Sequence, residues 1–166
     1  MFDAIVLWLH ILGAVVFVGP QIFLAAIAMP AIRDMADARA RQDLTRRITR
    51  GFGMLGGGAL VLILVTGLWN FSAAQGDGKF DLTRYFWLFN IKFLLFVAVV
   101  VLTGLHAMVF GKRLQDLQEQ GASEVALAEA RQMSMMASIA TLTLSIVILL
   151  FGALLGSDWA LGGSLR

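Results

Sequence analysis

Residues 91–107, IKFLLFVAVVVLTGLHA, form an almost unbroken apolar run that keeps a lysine near its start, Lys92, and a histidine near its end, His106. A helix needs roughly 20 mostly apolar residues to cross a hydrocarbon core of about 30 Å. The chain has four such stretches, near 4–29, 52–74, 85–111 and 134–156. Hydrocarbon offers the backbone no hydrogen-bond partner, so each stretch must satisfy its own peptide groups as a helix. With 59% hydrophobic and only 14% charged residues, the chain resembles neither an ordinary globular domain nor a disordered one. The expected fold is all-α: a transmembrane four-helix bundle, up-down-up-down, with residues 1–166 as a single integral membrane domain. No internal repeat is legible. No basic residue precedes the first span and no small-residue cleavage site follows it, so it is expected to be a retained helix rather than a secretory signal.

Cations give the expected orientation. The 31–50 linker carries Arg33, Arg39, Arg41, Arg46, Arg47 and Arg50, whereas only Asp3 is charged ahead of the first span. By the bias of Lys and Arg towards cytoplasmic loops, that linker is expected inside and both termini outside, in a bacterial-type inner membrane. The 112–131 linker, with Lys112, Arg113 and Arg131, then shares the cytoplasmic side, and the turn around Asp77 and Lys79 faces outward. Leu114, Leu117, Val125 and Leu127 alternate with polar residues in the 112–131 linker, which Gly121 interrupts, so it should extend the third and fourth helices as a short hairpin. A net charge of +2 is too small to argue for nucleic acid, and topology explains the arginines.

Several chemistries are excluded. The chain has no cysteine, which removes disulfides, iron–sulfur clusters, thiolate zinc sites and covalently attached c-type haem. The spans contain no paired carboxylates for a proton or cation relay, and the serines of the fourth span have no evident base.

The polar exceptions fall on one face. Lys92, Phe96, Val99, Thr103 and His106 lie at spacings of four and three and form a stripe along one side of the third helix. An ionisable group inside a span costs about 2.5–3.5 kcal/mol on insertion scales and is expected to face the interior. In the fourth span, Ser134, Ser138, Thr141, Ser145 and Gly152 form a small, polar seam suited to close helix approach. In the first, His10, Ala14, Phe17 and Gln21 share a face, with Gly13 beside His10 and Pro20 beyond. The second span supplies Gly56, Gly57, Gly58 and Gly67, which make room either for close packing or for a cofactor.

Depth separates two candidate sites. At 1.5 Å per residue, His10 and Lys92 each lie roughly 10 Å in from the outer end of their helix, with Gly67 and either Phe151 or Gly152 at about that level. His106 lies about 30 Å from the outer end of its helix, near Met54 and Met108, so the two histidines are about 20 Å apart along the membrane normal. One haem iron cannot be held by both within a single subunit. A b-type haem would take His10 as axial ligand, with Gly13, Gln21 and Gly67 around it and Lys92 as second ligand or propionate partner. Alternatively, His106 with Met54 and Met108 offers the imidazole and thioethers that suit Cu(I), although methionine is also a common apolar filler. The third alternative is a cofactor-free structural subunit of a membrane complex.

In chain order, LWLHILGAVVFVGPQIF, RRITRGFG, LVTGLW, WLFNIKF and LHAMVFGKR resemble the CopD/HemJ-like group of membrane proteins, which includes copper-resistance protein D domains and HemJ-type protoporphyrinogen oxidases. The resemblance implies a four-helix bundle. It also implies His10 at the first-helix histidine associated with haem b, Lys92 at the third-helix lysine, and His106 where such proteins often carry another histidine. Haem-dependent oxidoreductase chemistry or electron transfer is the activity it implies, with the lipid bilayer, an electron donor or acceptor and further copies of the chain as partners.

Overall fold

The structure, a computed structural model, describes residues 1–76 and 82–157. Every regular element among them is helical. Four stretches, Phe2–Arg33, Ala38–Ala74, Thr83–Glu119 and Glu124–Leu155, are long and apolar enough to cross a membrane. The chain divides into two compact units, Met1–Phe80 and Asp81–Arg166, each holding one pair of these helices. The single four-helix domain expected from the sequence is thus described as two helical hairpins. The turn expected around Asp77 and Lys79 lies outside the described residues.

In the first unit, α1 (Phe2–Phe23) runs through a π-helical turn, Leu24–Ala28, into the short α2 (Met29–Arg33). Pro20 lies inside α1, where it removes a backbone donor one turn before the π-helical segment. Pro30 enters at the first turn of α2, where no intrahelical donor is needed. The long α3 (Ala38–Gly76) starts well before residue 52, the expected beginning of the second span. Two local causes account for this. The Oδ1 of Asp37 accepts from the backbone N–H groups of Arg39 at 2.8 Å and Ala40 at 3.2 Å, capping the helix. The stretch that follows is rich in Ala, Arg, Gln and Leu, all good helix formers. The arginines 39, 41, 46, 47 and 50 are all exposed along this extension.

The α1/α3 pair is antiparallel and close. Val6, Gly13, Phe17 and Val18 are buried on α1, and Gly56, Ala59, Leu60 and Thr66 on α3. Phe17 stacks on Phe52 with ring centroids 6.4 Å apart, its ring edge 3.7 Å from where a side chain on Gly56 would begin. At the start of α1, Phe2 meets Trp69 edge-on at 5.2 Å, and the Trp69 Nε1–H donates to Asp3 Oδ1 at 3.2 Å.

In the second unit, α4 (Leu82–Leu105) passes through a π-helical turn, His106–Phe110, into α5 (Gly111–Glu119), and α6 (Glu124–Leu155) returns. The extension expected over 112–131 is a helical hairpin that breaks at Gly121, whose φ is +63°. The N–H groups of Gly121 and Ala122 bond back to the carbonyls of Gln118 and Leu117, a Schellman ending in which glycine carries the left-handed residue. The Ser123 side chain then caps α6 through the Ala126 N–H.

In this unit Leu88 and Val99 are buried on α4, and Leu127, Ala130, Ala137, Thr141 and Ser145 on α6. Val99 is the largest fully buried side chain among the described residues, at 1% exposure. The expected seam of α6 needs one correction: Ser138 is exposed and donates to the Ser134 carbonyl, and Ala137 takes the inner position. The buried run 130, 137, 141, 145 steps by seven and four, which rotates Ser138 off the contact face. Thr141 and Ser145 satisfy their hydroxyls on carbonyls of their own helix, at 2.8 and 2.7 Å. Large apolar side chains such as Trp8, Val65 and Leu94 remain more than half exposed outside this packing. In a bilayer such surfaces face hydrocarbon.

Candidate functional site

His10 sits on the α3-facing side of α1. Its Nδ1 lies 3.0 Å from the Thr66 Oγ1, and the Thr66 hydroxyl donates its single proton to the Leu62 carbonyl at 2.6 Å. Thr66 therefore receives the imidazole Nδ1–H, and in the neutral ring Nε2 carries the lone pair. Thr66 was not singled out in the sequence. The available signal was a hydroxyl next to Gly67 in LVTGLW, one helical position from the expected contact.

The glycines expected to admit a porphyrin are occupied by this chain. A side chain on Gly67 would begin 3.0 Å from the His10 Cε1 and 3.5 Å from its Nδ1, so the imidazole itself fills that notch. A side chain on Gly13 would begin 2.9 Å from Ile63 Cγ1. Both glycines lie in the close approach of α1 and α3. Gln21 is likewise turned inward on its own helix, its Nε2 donating to the Phe17 carbonyl at 3.1 Å.

Lys92 belongs to the second unit. It lies on the inner stripe of α4, as expected, with its Nζ 3.4 Å from the position a Gly152 side chain would take on α6. The structure thus brings His10 together with Thr66 and Gly67, and Lys92 with Gly152.

His106 begins the π-helical turn, its Nδ1 buried and without a hydrogen-bond partner among the described residues. One turn earlier the buried Oγ1 of Thr103 is also unpartnered. Of the thioethers expected to join His106, Met108 is 75% exposed in the same unit, and Met54, 76% exposed, belongs to the first unit. Among the described residues no group of three or more His, Cys, Asp or Glu side chains could hold a metal ion. An unpaired buried hydroxyl costs about 1–3 kcal/mol. Thr103→Val, which keeps the shape and removes the hydroxyl, should therefore leave the protein as stable or raise stability by about 1 kcal/mol in a detergent unfolding titration. A clear loss of stability would show that the hydroxyl is engaged in the membrane.

A protein-family comparison matches residues 12–123 to a domain of unknown function (DUF4149). Comparison with curated proteins and with solved structures gave no match.

Proposed function

We propose that this chain, which belongs to the DUF4149 family, is a multi-pass inner-membrane subunit without a resident cofactor, its hairpins acting as helix-packing partners in a larger membrane assembly. One observation carries this reading: the notches beside its intramembrane ionisable groups are filled by its own side chains, Gly67 by the His10 ring and Gly13 by Ile63, with Lys92 against Gly152. Small residues at such contacts let membrane helices approach closely, where van der Waals packing supplies the association energy. The apolar surfaces that remain exposed on each helix are then available to lipid and to helices of partner proteins. In this reading the arginines set the orientation, with both termini outside and residues 31–50 and 112–131 in the cytoplasm.

A second reading, haem b ligated by His10 in a redox protein, draws on the Thr66 hydrogen bond. A metal-ligating imidazole holds its other ring N–H on a fixed acceptor, and Thr66 provides that acceptor for Nδ1.

One preparation separates the readings. The protein is purified from membranes of cells supplied with haem precursor and copper, its oxidised and reduced absorption spectra are recorded, and its copper content is measured. The expected outcome is no Soret band and no stoichiometric copper, with the chain migrating in a larger complex after mild extraction from its native membrane. A stoichiometric Soret band that disappears in His10→Ala would establish the haem reading instead. Stoichiometric copper lost in His106→Ala would establish copper handling, and migration as a free monomer would remove the assembly role.

A further inference from the structure

Several features of the two hairpins recur at fixed intervals, although not every buried position does: Val18 is 6% exposed and Val100 40%. In the outgoing helices, Val6 and Leu88 are exposed by 8% and 7%, and Phe17 and Val99 by 3% and 1%. Each pair is 82 positions apart, and so are His10 and Lys92. The same interval separates Leu24 from His106, where the two five-residue π-helical turns begin. In the returning helices the interval is 85. Gly56 and Thr141 are both buried, as are Leu60 and Ser145. Gly67 lies beneath His10, and Gly152 beneath Lys92.

Buried positions alone would not establish a shared plan, because any two amphipathic helices can be aligned on a period of three or four. The π-helical turns are a different kind of marker. They are rare, usually single-turn insertions, and α1 and α4 each run into one 14 residues after the ionisable side chain. The seat of that side chain on a glycine of the returning helix is a third marker, fixed by contacts across the hairpin rather than along one helix.

We infer that the chain is a tandem repeat of one two-helix unit in which His10 and Lys92 occupy the same position. That position is an anchor, an ionisable side chain of the outgoing helix held against a glycine of the returning helix. The identity of the group differs while its placement is kept. Both residues combine an apolar body with a polar tip, so the body can fill the notch that glycine opens while the tip reaches towards a polar partner or the interface. In the first unit Thr66 supplies the partner, and the equivalent residue of the second is Phe151. An ammonium can reach the interface along its own flexible stem, which a ring cannot. Lys92 is accordingly a positioning residue of the second unit. This inference concerns the build of the hairpins and stands or falls separately from the cofactor question.

The chain contains no cysteine, so introduced pairs in the full-length protein report helix register directly in native membranes. With His10→Cys fixed, a second cysteine is moved through residues 63–71. With Lys92→Cys fixed, it is moved through 148–156. The expected result is two profiles of the same shape, with maxima at 67 and 152. Because replacing the anchors could disturb them, two further pairs leave them intact: Phe17→Cys with Gly56→Cys, and Val99→Cys with Thr141→Cys. Both should cross-link, and both should still do so when His10→Lys and Lys92→His are introduced together. Maxima at non-equivalent positions, or loss of either intact-anchor cross-link in the exchanged protein, would overturn the repeat.

Discussion

Gly67→Leu is expected to destabilise the first hairpin by about 2–4 kcal/mol, the sum of overpacking and a lost interhelical hydrogen bond. The His10 Cε1 lies only 3.0 Å from the position of the new Cβ, a distance at which the ring has to move. Its Nδ1 then leaves Thr66 Oγ1, which it meets at 3.0 Å. Thr66 keeps its own bond to the Leu62 carbonyl, so the hydroxyl is not orphaned and the loss stays bounded. The imidazole loses both the notch and its acceptor. Truncating it in the same background should return part of the stability: His10→Ala costs about 1 kcal/mol alone, but in the Gly67→Leu protein it should be neutral or favourable. Unfolding titrations of the four proteins of this double-mutant cycle in one detergent give the coupling directly. Additive losses would mean that His10 does not rest on Gly67.

The apolar runs made the helical class and the number of candidate spans legible, because hydrocarbon leaves the backbone little choice. The inner stripe of α4 was legible too. Of Lys92, Phe96, Val99, Thr103 and His106, Val99 is buried, Thr103 and His106 each bury a polar atom, Lys92 rests against Gly152, and Phe96 is half-buried. The break at Gly121 could be read because a lone glycine between polar helical stretches suits a left-handed ending. Helix ends were less legible. α3 begins at Ala38 because Asp37 and a run of good helix formers extend it past the apolar stretch, and hydropathy registers only the stretch.

The glycines of the candidate site were harder. A sequence shows that a side chain is missing but not what takes its place, so Gly13 and Gly67 suit a porphyrin edge and a neighbouring side chain equally well on paper. What lies in each notch depends on the register of α1 against α3, which here places Ile63 and the His10 ring there. The shared plan of the hairpins was hidden for a related reason. Gly56 stands where Thr141 does and Leu60 where Ser145 does, so residue identity does not survive between positions that are buried alike. Local backbone events such as the π-helical turns carry no composition of their own: LAAIA and HAMVF share little beyond being apolar.

Val99→Phe should be the most damaging apolar substitution in the second hairpin, and Val97→Phe the control that explains why. Both add the same side chain to the same helix two residues apart, so any change in membrane insertion affects them nearly equally. Val97 is 41% exposed, and a phenyl ring there can extend into lipid. Val99 is 1% exposed and packs in the contact with α6, whose buried Ala137, Thr141 and Ser145 are all small. Those residues keep the helices close, and their hydroxyls are committed to backbone carbonyls of α6. The larger ring can enter only by forcing α4 and α6 apart, a strain of about 1–3 kcal/mol. In a bilayer that separation brings no compensating hydrophobic gain, since lipid tails solvate an exposed ring as well as a packed one. Detergent unfolding should show Val99→Phe shifted by that amount and Val97→Phe within about 0.5 kcal/mol of the parent. Equal effects at the two positions would mean that Val99 faces lipid and that the α4/α6 register is different. Adding Thr141→Ala or Ser145→Ala should relieve the strain in Val99→Phe while leaving Val97→Phe unchanged, because only the inward ring competes for the space those side chains occupy.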